Sequence, residues 1–135
     1  MPVMITELGG CSDLMAARLA ETGIFDAAQL LRQCGTPGER RELASSTELE
    51  ESALLALANR ADLCRVRGVA GVYADLLERA GVDTVRELAV RRPDHLFEKL
   101  MSVNSAERIT GTPPTRRQVE KWVEQARGRG PAGSY

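Results

Sequence analysis

Eight residues of this chain recur at one fixed spacing. Ile5, Leu8, Gly10, Ala16, Leu19, Gly23, Ile24 and Leu30 are followed 58 positions later by Leu63, Val66, Gly68, Ala74, Leu77, Gly81, Val82 and Leu88. A shared helical period would repeat the apolar residues but not the glycines, so the match marks an internal repeat. In each copy two apolar residues stand at i and i+3, the spacing of one helix face. A glycine follows two residues later, where a helix end calls for positive φ. Ala16 and Ala74 are small where a second helix would cross closely, and Leu19 and Leu77 lie three residues further along the same face. Each copy therefore predicts a helix, a tight glycine turn and a second helix, with Gly68 and Gly81 either at positive φ or where a Cβ would clash.

This order resembles the helix-hairpin-helix motif, apolar-x-x-apolar-x-Gly-apolar-Gly-x-x-x-Ala-x-x-apolar. The first copy fits it as Ile5, Leu8, Gly10, Cys11, Ser12, Ala16 and Leu19, the second as Leu63, Val66, Gly68, Val69, Ala70, Ala74 and Leu77. The resemblance implies a turn that offers backbone N–H groups to a nucleic-acid phosphate at the N-terminus of the second helix. That chemistry needs exposed amides and a helix dipole rather than a special side chain. Both copies depart from the motif at its second glycine, which is Ser12 in one and Ala70 in the other. Gly71 follows Ala70 and partly restores access, whereas Asp13 beside Ser12 repels phosphate and caps its own helix. The first hairpin, at Gly10, Cys11 and Ser12, thus reads as structural, and the second as the candidate site.

Charge points to the same half. The net charge of −1 conceals an uneven distribution: residues 1–58 hold four Arg and nine carboxylates, residues 59–135 fourteen Lys and Arg and ten carboxylates. A nucleic-acid surface belongs to the positive half, although dedicated DNA-binding domains are more basic than this. Only 4% of the residues are aromatic, so the core must be built from Leu, Val and Ala, which suits packed helices. No apolar run reaches the length of a membrane span and no charged-then-apolar leader begins the chain, so the expectation is a soluble cytoplasmic protein with no membrane partner. Cys11, Cys34 and Cys64 are far apart, and His95 is the single histidine. Neither a metal site nor a cofactor is expected from that set, and the cysteines read as reduced thiols.

Along the chain, Asp26 and the pair Asp83-Thr84 are expected to cap short helices. Cys34 to Gly38 reads as a turn, Glu39 to Ala44 as a helix, and Ser45-Ser46-Thr47 as the cap of a long helix reaching about Ala61. Arg40 and Arg41 sit among Glu39 and Glu42 and read as ordinary charged surface. Val119, Trp122, Val123 and Ala126 repeat Leu54, Leu57, Ala58 and Ala61 at a spacing of 65, so the second copy carries seven extra residues, expected around Gly111. From Ile5 to about Arg127 the chain resembles the bacterial family catalogued as domain of unknown function 4332. The stretches that carry this are 61–69, Tyr73 to Leu77, Ala80 to Val85, Glu87 to Ala89 and Val119 to Trp122. The resemblance implies tandem helix-hairpin-helix motifs and leaves the activity unassigned.

The expected fold is all-α: one compact pseudo-two-fold domain of two tandem units, residues 1–60 and 61–127, with a flexible tail at 128–135. The expected function is a small non-catalytic module that binds DNA independently of sequence. In the candidate site, amides of Gly68, Val69, Ala70 and Gly71 clamp a phosphate and Arg65 and Arg67 add counter-charge. The alternative is a protein-interaction adaptor that kept the fold and lost the phosphate site. Least expected is an enzyme, since no phosphate loop, dinucleotide fingerprint or catalytic constellation is present. The basic C-terminal stretch Arg116, Arg117, Lys121, Arg127 and Arg129 reads as a solvated face opposite a packed Trp122.

Overall fold

Turn glycines and polar caps divide this chain into short helices. The computed structural model describes residues 2–129, which fall into two units, 2–62 and 63–129. The first unit opens with a 3-10 turn, Ile5–Glu7, and continues through α1 (Asp13–Ala20), α2 (Ala27–Gln33), α3 (Pro37–Thr47) and α4 (Glu51–Leu63), the unit boundary falling at the end of α4. The second contains α5 (Val72–Arg79), α6 (Val85–Ala89), α7 (Pro93–Glu107) and α8 (Arg116–Arg127). Among the described residues the architecture is all-helical, with one isolated antiparallel bridge between Met4 and Asp26. No helix there is long and apolar enough to cross a membrane. The C-terminal tail beyond Arg129 lies outside the described residues.

Residues 58 positions apart adopt the same local geometry. Gly10 and Gly68 have φ of 85° and 87°, and Gly23 and Gly81 have φ of 83° and 91°, all in the left-handed region that costs a side chain least when it is absent. The amide of Ile24 donates to the Leu19 carbonyl at 3.0 Å, and that of Val82 to Leu77 at 2.9 Å. Likewise the amide of Cys11 reaches Leu8 at 3.3 Å, and that of Val69 reaches Val66 at 3.1 Å. Asp26 accepts the Gln29 amide at the start of α2, and Thr84 accepts the Glu87 amide at the start of α6, as the sequence predicts.

Further along, the spacing drifts. Pro37 and Pro93 each open a helix at its first position, 56 apart. Glu48 and Arg108, both left-handed with φ of 59° and 51°, close those helices 60 apart. The starts of α4 and α8 are 65 apart. The seven extra residues are therefore not one loop insertion. The second copy is two residues shorter before α7, four longer within α7 and five longer in the loop to α8. That loop is tied down: Asn104 exchanges two hydrogen bonds of 3.0 Å with the backbone of Thr110, and Tyr73 donates its hydroxyl to the Thr112 carbonyl at 2.9 Å.

Two expectations need correction. Ser45-Ser46-Thr47 is not a cap but the last turn of α3, where the Ser46 and Thr47 hydroxyls donate back to the Leu43 carbonyl at 3.2 and 2.6 Å. The cap of that helix lies upstream at Thr36, whose side chain accepts the Glu39 amide, so the residues read as a turn are its beginning. Arg40 is not surface: it is 7% exposed and donates to the Cys34 carbonyl at 2.8 Å, while Arg41 is exposed.

In the second unit the core gathers Leu63 from the end of α4, Val66 and Val69 from the turn, Ala74 and Leu77 from α5, Leu88 from α6, Leu96 and Leu100 from α7, and Val119, Trp122, Val123 and Ala126 from α8. Trp122 is packed, as its spacing predicts, with the Tyr73 ring 5.4 Å away and tilted by 53°. A Cβ at Gly68 would stand 3.2 Å from Trp122 Nε1, whereas one at Gly10 would meet nothing within 4 Å. Gly10→Ala should therefore cost about 1 kcal/mol through φ alone, and Gly68→Ala more, because the indole must also shift. Urea unfolding of the two variants measures the difference; equal midpoints would show that Trp122 does not press on the turn.

Candidate functional site

The second hairpin is shaped by which residues face inward. Leu63, Val66 and Val69 recur every third position and are each about 1% exposed, which turns Arg67, Gly68, Ala70 and Gly71 to the surface and leaves Arg65 half-buried. Val69, proposed from sequence as a clamp residue, is thus a core residue, and its amide is engaged by Val66. Gly68 turns the chain at φ 87°, and Gly71 turns it again at φ 53° and ψ −122°, a conformation essentially reserved for glycine. The amides of Gly68, Ala70 and Gly71 donate to no other group among the described residues. Gly71 is the N-cap of α5 and supplies no side-chain cap.

The first hairpin ends differently. Ser12 is the N-cap of α1, and its hydroxyl accepts the Met15 amide at 3.2 Å. Asp13 occupies the first turn of that helix, at the position that Gly71 holds in the second copy. One helix start is thus closed by a side chain of its own with Asp13 as the first helical residue, and the other has no side-chain cap and carries its first-turn carboxylate, Asp75, further along. Cys11 is half-buried, and burial together with the nearby Asp13 carboxylate raises its thiol above the ordinary range.

α8 brings further cations to the second hairpin. The Arg67 amide donates to Gln125 Oε1 at 3.0 Å, and Gln125 Nε2 returns a 3.5 Å bond to the Arg67 carbonyl. This fixes the turn against α8 and leaves the Arg67 side chain exposed. Arg67, Lys121, Glu124, Gln125, Gly128 and Arg129 line a shallow cleft of about 620 Å³. Sequence reasoning placed Lys121 and Arg129 on a solvated face and overlooked Gln125. Lys121 and Gln125, four apart, share one side of α8, and Arg129 joins them from beyond its Gly128 cap.

The chain belongs to the family described as domain of unknown function (DUF4332), whose model matches residues 9–129. No curated protein and no solved structure matches it.

Elsewhere in the first unit Cys34 is wholly buried. Burial pushes its thiol up to about 11, with Glu39 adding to the rise and the Arg40 guanidinium opposing it. A thiol held protonated is a poor nucleophile, so Cys34 is a packing residue. Because its folded pKa lies above the unfolded value, the stability it confers is complete below the ordinary thiol range and is lost as pH climbs toward 11. In native protein at pH ~8, a thiol reagent should leave Cys34 unmodified and react with it only after denaturation. Cys34→Val should flatten the alkaline fall in stability. Rapid labelling of native Cys34 would show that the site opens.

Proposed function

We propose that this family member is a non-catalytic binding module of two tandem helix-hairpin-helix units, of which the second binds DNA through its phosphate backbone, independently of sequence. One observation carries this reading: the bare start of α5, where exposed amides of Gly68, Ala70 and Gly71 stand beside Arg67 with Lys121 and Arg129 on the adjoining cleft. Backbone amides at a helix N-terminus present partial positive charge and suit an anion. They read no base edge, so the expected binding is to backbone rather than sequence. The contrast with the first hairpin supports the assignment, because Ser12 caps α1 from within the chain. Residues 63–129 hold thirteen Lys and Arg against nine carboxylates, which favours the same unit. Three cysteines without a disulfide support a cytoplasmic location.

The adaptor reading has one observation in its favour. Val72, 46% exposed, adjoins the same turn and gives it an apolar edge. Fluorescence anisotropy with a labelled duplex separates the two. The DNA reading expects binding at low salt, a log–log salt slope of about two to four, and little dependence on sequence. Arg67→Glu should weaken binding at least ~10-fold, because it reverses a charge beside the amides without removing the backbone bond to Gln125. Asp13→Lys in the first hairpin should change it little. Failure of the parent protein to bind at low salt, with a protein partner retained through Val72, supports the adaptor instead; equal binding by Arg67→Glu removes the second hairpin as the site.

A further inference from the structure

A second group of basic residues in unit 63–129 has no part in the hairpin site. Arg91, Arg92, His95 and Lys99, with Val90 and Leu96, line a cleft of about 320 Å³ where the segment after α6 meets the first turns of α7. A carboxylate adjoins it. Asp94 lies 3.5 Å from Arg92 and 3.9 Å from His95, but all three side chains are at least half exposed, and such pairs restrain their members weakly. The backbone of the cleft is held firmly. Arg91 donates to the Gly81 carbonyl at 3.0 Å, and Arg127, the last residue of α8, donates to the carbonyls of Ala89 and Arg91 at 3.1 and 3.3 Å.

Arg127 relates this cleft to the hairpin. Two positions earlier on α8, Gln125 holds the backbone of Arg67. Residues two apart on an α-helix point about 200° apart, so the hairpin and the α6–α7 cleft are fastened to opposite flanks of one helical turn. A helix with its side chains is roughly 10 Å across. Along one nucleic-acid strand the backbone advances about 3.4 Å per nucleotide. A single phosphate is too small to reach both flanks, and a run of backbone phosphates is long enough. We infer that the cleft of Arg91, Arg92, His95 and Lys99 is a second contact for the phosphate backbone of a nucleic acid. The unit then grips a polyanion on both sides of the end of α8. This rests on the reading of the second hairpin as a nucleic-acid site and adds where the rest of the ligand runs.

The test uses the full-length chain and anisotropy with a labelled duplex of about two helical turns, ~20 base pairs. Arg92→Gln with Lys99→Gln removes two exposed charges and alters no buried group. Arg32→Gln, exposed in the first unit, is the control, and circular dichroism confirms folding of each. The inference expects the double variant to bind several-fold more weakly and its salt slope to shrink by about one to two, with the control unchanged. Inorganic phosphate should compete poorly with the duplex for the parent protein. If the parent binds DNA and the double variant keeps its affinity and slope, the second contact is wrong while the hairpin site stands. If the parent does not bind duplex DNA, both readings fall.

Discussion

The close seating of Trp122 on Gly68 governs the second unit. An indole can approach a turn this nearly only where no Cβ intervenes, and the left-handed φ that Gly68 adopts is one that side chains resist. Once Trp122 is seated, the register of α8 is set. Gln125 reaches the Arg67 backbone, Val119, Val123 and Ala126 close the core, and Arg127 reaches the segment after α6. With few aromatic residues in the chain, one indole against one glycine and one tyrosine fixes the position of the helix that carries half the cleft.

The two hairpins show how little sequence separates a closed helix start from an open one. Their glycines, their turn hydrogen bonds and the caps of the following helices coincide at one spacing. Among their differences are two adjacent positions, where Ser12 and Asp13 correspond to Ala70 and Gly71. A hydroxyl at the first closes α1 on itself, and a carboxylate beside it offsets the positive end of the helix. Replacing both removes the internal cap and the carboxylate next to it, and leaves Asp75 as the acidic residue in the first turn of α5. The same backbone can therefore serve as a structural corner in one copy and, on the proposed reading, as an anion site in the other.

Much of this was legible in the sequence because it rests on local rules. Gly68 and Gly81 announced positive φ, Asp26 and Thr84 announced helix starts, and Trp122 lay at core spacing. What escaped depends on contacts between distant residues or on competition between signals. Ser45, Ser46 and Thr47 have good capping side chains, but Thr36 followed by Pro37 started the helix earlier, and their hydroxyls turned back to Leu43. Arg40 looked like surface among carboxylates, yet the Cys34 carbonyl gives its guanidinium an acceptor in the interior. Gln125 carries no charge and belongs to no motif, so its grip on Arg67 followed only from the packing of α8.

In the second hairpin, the groups that hold the shape are distinct from those that carry the charge. Gly68, Trp122 and Gln125 act through a missing Cβ, a buried ring and a backbone hydrogen bond. Arg67 contributes to that scaffold only through its main chain, and its side chain, like those of Lys121 and Arg129, is exposed. Changing these three charges alters the field at the turn while leaving the turn itself in place. Exposed cations on a rigid frame contribute mainly through long-range attraction, which salt screens, whereas the amides act only at contact. A loss of affinity that vanishes at high salt would therefore belong to the charges, and one that persists there would belong to the shape of the turn.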